Sequence, residues 1–176
     1  MQFLEWLQAW PISTWIQESE WGFPVFLAFH SIGLAVVLGV LVMLDVRILG
    51  FAKSFPVSSF SKLMTWAWVG FILNAISGIM LFAADASRLS VNWAFIMKMT
   101  CVVLGVITAW LMSRQLNFPA YTHATDAEAD AMGEPVLTKS LRYLAIASLV
   151  IWTMAIVAGR LIAYINDSFA LGGSAF

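Results

Sequence analysis

The chain has 176 residues, 61% of them hydrophobic and only 11% charged, with a formal net charge of -1. Mean hydropathy is +0.87, so there is far too little polar surface for a soluble domain of this size, and an integral membrane protein is expected. No basic stripe exists to bind a nucleic-acid backbone, and the lone Cys101 inside an apolar run excludes a disulfide framework or a thiolate metal cluster, leaving it as a buried small residue.

The first twenty residues, "MQFLEWLQAWPISTWIQESE", contain three glutamates and no Lys or Arg. A secretory leader opens on a basic region, so this segment is expected to remain in the mature protein. Phe3, Leu4, Leu7, Trp10, Trp15 and Ile16 recur at helical spacing and Pro11 interrupts them, which predicts two short pieces lying in the membrane interface. A partly ordered tail is the plainer alternative.

Four apolar runs are long enough to cross about 30 Å of hydrocarbon. They fall at residues 21–46, 63–83, 93–113 and 141–165. The stretch between the third and fourth, residues 117–139, is polar and acidic and carries Pro119, Gly133 and Pro135, which predicts a loop. The fold class expected is therefore all-α: an integral membrane four-helix bundle with an N-terminal interfacial amphipathic segment, a single domain over residues 1–176.

Basic residues set the expected orientation. Arg47, Lys53 and Lys62 flank the first loop, and Arg114, Lys139 and Arg142 the third; the second has Arg88 and the N-terminal segment none. Loops rich in Lys and Arg stay in the cytoplasm, which predicts both termini outside it. Trp6, Trp10, Trp15, Trp21 and Trp93 then make an aromatic belt on the outer side.

Depth follows from 1.5 Å per helical residue, which puts His30 roughly 13 Å below Trp21, Lys98 about 8 Å below Trp93, Arg160 about 8 Å below Ile165 and Asn74 about 12 Å below Phe82. All four fall in the outer half. Charges there cost at least ~2 to 3 kcal/mol unless paired or able to reach the interface, so the group is a candidate site. Asp45 is the acid within the spans, but it lies at the opposite end, where pairing with Lys62, Arg142 or Arg47 is expected. Two cations and an imidazole without a carboxylate suit an anionic guest with apolar bulk and a group for imidazole to ligate. Haem b has each property: propionates for Lys98 and Arg160, iron for His30, and a flat face that Gly33, one turn on, would let approach the helix. Asn74 belongs to a stripe with Gly70, Ser77 and Gly78 that would line the same cavity.

Each residue also has a plainer reading. Lys98 and Arg160 can snorkel to the headgroups, His30 can bond a carbonyl or Asn74 without metal, and a Gly/Ser stripe can serve helix packing alone. His123 lies in the 117–139 loop on the expected cytoplasmic side, opposite the outer half that holds His30, so the two are not expected to share a ligand sphere in one protomer, and a solvated loop residue is expected. No Ser-His-Asp set, HExxH, CxxC or phosphate loop supports hydrolase or kinase chemistry.

The stretches "ESEWGFP", "HSIG", "LDVRILG", "WAWVGF", "SGIMLF", "NWAFIMK" and "IVAGRLIAY" resemble a group of small bacterial four-helix inner-membrane proteins whose activity is not established. The likeness runs from about Glu18 to Tyr164 and implies a shared pattern at Glu18, His30, Gly33, Asp45, Arg47, Lys98 and Arg160. A fainter likeness is to the membrane protoporphyrinogen oxidases and the copper-resistance membrane proteins, haem-associated four-helix families with a first-helix His, a following Gly and a third-helix Lys. Those families place a second His near the cytoplasmic end of the third helix, where this chain reads "AWLMSRQ". Three functions stay open: a b-type haem protein working with quinone, a redox partner or a tetrapyrrole; a cofactor-free structural or accessory subunit; and a small-anion carrier or channel. A homo-oligomer is expected, because an accessory subunit needs partners and a channel needs a pore.

Overall fold

A computed structural model describes residues 2–124, 128 and 131–172, with side chains as far as residue 165. It is all-helical, with no strand among the described residues. Among the described residues the α-helices with defined bounds are, in chain order, α1 (Gln2–Gln8), α2 (Pro11–Glu18), α3 (Gly22–Ile48), α4 (Phe60–Ala84), α5 (Ala86–Ser90), α6 (Trp93–Gln115), α7 (Phe118–His123) and α8 (Lys139–Gly172). Four of them, α3, α4, α6 and the Lys139–Ile165 part of α8, are long and apolar enough to cross a membrane, as the run lengths predict. Each observed span outruns its expected bounds by a turn or less at most ends, because capping residues prolong a helix past its apolar core.

Local chemistry sets those ends. Pro11 opens α2 at a position where its missing N–H costs nothing. Asn92 caps α6, its Oδ1 accepting from the backbone N–H of Ala94 at 2.9 Å and of Phe95 at 3.3 Å. Gly50, at φ 103°, stops α3 in the left-handed region that favours glycine. Asn117, at φ 54°, separates α6 from α7 in the same way.

Only 22–28% of the residues in the four apolar windows are buried within the protein. Such helices are stable where lipid covers the remaining apolar surface, so the chain is a multi-pass membrane protein. What is buried follows a coiled-coil spacing of four and three: Val37, Leu41, Leu44 and Ile48 on α3, Cys101, Gly105, Thr108 and Met112 on α6, and Leu141, Ala145, Ser148, Trp152 and Ala155 on α8. α3 packs mainly on α4 and α6 mainly on α8, and α3 meets α8 to join the two pairs.

The two ends of the bundle differ. At the end where α6 begins, α1, α2 and α5 form a cap: Ile16 and Ser13 are fully enclosed, Ser13 Oγ donates to the carbonyl of Leu7 at 2.9 Å, and Ser87 Oγ donates to Gln8 Oε1 at 2.7 Å. A Cβ on Gly22 would stand 2.8 Å from Ile16 Cα, so α2 turns back directly onto the start of α3. The N-terminal segment is thus two packed helices and not a loose tail. At the other end, the 117–139 segment carries the short helix α7, which was expected to be loop. Pro119 reads as a breaker by itself, yet it occupies the first turn of α7, where proline is tolerated, and Phe118 and Tyr121 bury against the core. Glu134 then reaches the first loop, accepting from Val57 N–H at 2.8 Å and from Ser58 Oγ at 3.0 Å. We call these the α5 end and the α7 end.

Candidate functional site

The seam between α3 and α4 changes character along its length. Toward the α7 end it is filled by Val37, Leu41, Met64 and Ala67; toward the α5 end it is built from Gly33, Gly70, Asn74, Ser77 and Gly78. Small residues let the backbones approach, as a Cβ on Gly33 would lie 2.7 Å from both Asn74 N and Gly70 O. That close approach brings His30 against α4. Its Nδ1 stands 3.0 Å from the carbonyl oxygen of Asn74, and Asn74 Nδ2 donates to the carbonyl oxygen of His30 at 2.6 Å. The imidazole also lies along Gly78, where a Cβ would sit 3.0 Å from His30 Cε1.

These contacts fix the tautomer. A carbonyl can only accept, so Nδ1 carries the proton and donates, which leaves the lone pair on Nε2. Ser77 Oγ, 3.4 Å from Nδ1, is already committed to the carbonyl of Leu73 at 2.7 Å. Nε2 faces Lys98 Nζ at 3.4 Å, a base opposite a primary amine across the bundle from α3 to α6. The stem of Lys98 passes Gly159 of α8, with Cδ 3.7 Å from where a Cβ would be.

The structure therefore brings His30, Gly33, Asn74 and Lys98 together, and adds Ser77, Gly78 and Gly159. Gly159 was not singled out in the sequence; its signal was a small residue one position before a charged one on an apolar helix. Arg160 is not in this cluster: it is exposed, one residue around α8 from the glycine that Lys98 passes. His123 is likewise exposed at the end of α7, away from His30. Among the described residues there is no group of three or more His, Cys, Asp or Glu that would hold a bare metal ion.

A groove of about 580 Å3, open to the surroundings, is walled by Phe82 of α4 and Phe95, Ile96, Met99 and Val103 of α6. Phe82 lies one turn beyond Gly78 on α4, and Phe95 one turn before Lys98 on α6. Their rings stack, centroids 5.3 Å apart and 15° from parallel.

Asp45 departs from expectation. It does not pair with Lys62, Arg142 or Arg47; it is fully enclosed, and neither carboxyl oxygen has a hydrogen-bond partner. Arg47 instead donates from Nε to the carbonyl of Phe55 at 2.6 Å. Asp45 points inward because it lies on the buried stripe between Leu44 and Ile48, whereas Arg47 does not.

In comparisons with known proteins, no family model matches the chain, and no curated protein or solved structure matches it significantly.

Proposed function

We propose that the protein is a membrane b-type haem protein in which His30 and Lys98 are the residues that would hold the iron. The observation that carries the reading is His30 Nε2, left with its lone pair by the Nδ1 donation and facing Lys98 Nζ at 3.4 Å across the bundle. The Nδ1 donation to the Asn74 carbonyl is the contact that orients metal-ligating histidines and makes Nε2 the more basic nitrogen.

Haem bound there would supply a one-electron couple, tuned by the groups that hold it and by the dry surroundings. The chain's own residues have separate parts. His30 would hold the iron through Nε2, Asn74 holds the ring by accepting from Nδ1, and Lys98, facing Nε2, would be the second nitrogen to hold it. The Phe82/Phe95 groove offers an apolar, aromatic wall for a flat macrocycle. Lys98 thereby takes a different part from the propionate contact its charge suggests, which leaves the exposed Arg160 for a propionate. With both termini periplasmic in a bacterial inner membrane, the iron would lie in the outer half of the bilayer, within reach of quinone or a periplasmic redox partner.

A second reading has one observation in its favour. If Lys98 stays an ammonium, it donates to Nε2 and keeps its charge inside the membrane with no carboxylate partner, which suits transient binding of a small anion. Purification with haem supplied separates the two. The haem reading expects a Soret band that His30→Ala abolishes while helical circular dichroism is retained, and a Lys98→Met protein whose spectrum changes ligation state and which binds carbon monoxide more readily. A colourless wild-type protein overturns it and leaves the anion and accessory-subunit readings.

A further inference from the structure

In the α7-end half of the bundle one polar pair serves nothing described above. Asp45 of α3 is 0% exposed, as is Ser148 of α8, and the side-chain oxygens of both lack any hydrogen-bond partner. The Ser148 hydroxyl lies within electrostatic reach of the carboxyl without completing a hydrogen bond. Around them is the apolar core of Leu41, Leu44, Met112, Leu141 and Ala145.

The charged groups on the elements packed there are all directed elsewhere. On α3, Arg47 bonds the Phe55 carbonyl; on α4, Lys62 is exposed; on α6, Arg114 is exposed and lies over the Trp110 ring at 4.7 Å; on α8, Lys139 and Arg142 are exposed. No cation and no N–H reaches the carboxyl oxygens. An ionised carboxylate without donors in an apolar interior is among the most costly groups a protein can bury, and such a site neutralises instead.

We propose that Asp45, with Ser148 as its hydrogen-bond partner, is a proton-binding site of the bundle interior, carrying the neutral carboxylic acid at neutral pH. A proton is the one ligand that needs no space. Bound to a carboxyl oxygen it makes an O–H that donates to Ser148 Oγ, and two orphaned groups become one satisfied pair. Asp45 lies three residues from the end of α3, about 4.5 Å along the axis, so exchange occurs with the α7 side of the membrane. The site is separate from His30 and Lys98 and stands whether or not haem binds.

The test is infrared spectroscopy of the full-length protein in lipid vesicles at neutral pH. The expected result is a carbonyl stretch of a protonated carboxylic acid that shifts in D2O, disappears in Asp45→Asn, and moves to higher frequency in Ser148→Ala as its hydrogen bond is lost. Identical acid-carbonyl regions in wild type and Asp45→Asn would overturn the proposal, because Asp45 would then be ionised. An unmoved band in Ser148→Ala would overturn the pairing. If Asp45→Asn does not assemble, 13C-aspartate labelling of wild type and Ser148→Ala separates the same outcomes: an acid-carbonyl band that moves with the isotope supports the site, and its absence refutes it.

Discussion

Gly33 and Gly70 meet backbone to backbone. A Cβ on Gly33 would stand 2.7 Å from Gly70 O, and a Cβ on Gly70 would stand 3.0 Å from Gly33 O. The nearest atoms to a Cβ on Gly33 are main chain, Asn74 N and Gly70 O, which cannot rotate aside, whereas a Cβ on Gly70 would first meet Val36 Cγ1 at 2.8 Å. Gly33→Ala should therefore part α3 from α4 and cost about 1–3 kcal/mol, the usual range for overpacking. Gly39 on the same helix has nothing within 4 Å, so Gly39→Ala should be neutral or gain up to about 1 kcal/mol of helix propensity. Reversible unfolding in mixed micelles compares the two. Equal stability would mean that the glycine seam is not the closest contact of the bundle.

Gly78 controls the imidazole without bonding to it. Its missing Cβ leaves the space that His30 Cε1 and Nδ1 occupy, at 3.0 and 3.2 Å. Gly78→Ala should push the ring from the Asn74 carbonyl and change the 15N shifts of both ring nitrogens, with helical content unchanged. Unaltered shifts would show that the ring has room to yield.

Glu134 ties the third loop to the first by accepting from Val57 N–H and Ser58 Oγ. Because its side chain is exposed, Glu134→Ala should cost only about 1 kcal/mol. The sharper readout is local: the Val57 amide should exchange with solvent several-fold faster, while amides in the middle of α3 keep their rates. Unchanged exchange at Val57 would show that the contact holds nothing in place.

Orientation rests on the basic loops. A reporter fused after Phe176 should be periplasmic, and one inserted after Lys53 cytoplasmic. Arg88, the basic residue of the loop expected outside, is ion-paired to Asp85, which weakens its pull on the topology. The opposite pattern would invert the bundle and put His30 in the inner half.

The four spans and the all-helical fold were legible in the sequence because a membrane imposes a length and a polarity on each segment, and both are local properties. So was the candidate cluster, since polar residues within apolar runs are few and 1.5 Å per residue gives their depth. What a linear reading lacks is azimuth. Lys98 and Arg160 have the same charge and similar depth, yet Lys98 faces His30 and Arg160 is exposed. Asp45 and Arg47 are two residues apart, far enough around a helix for one to be sealed in the core and the other to bond a loop carbonyl. The α7 helix was hidden because Pro119 is a breaker or a helix starter according to where the chain bends. The composition determined what this protein must dissolve in and how often it crosses; the packing of Gly33 on Gly70 decided which side chains meet, because two helices that close at one point fix the facing of every residue around it.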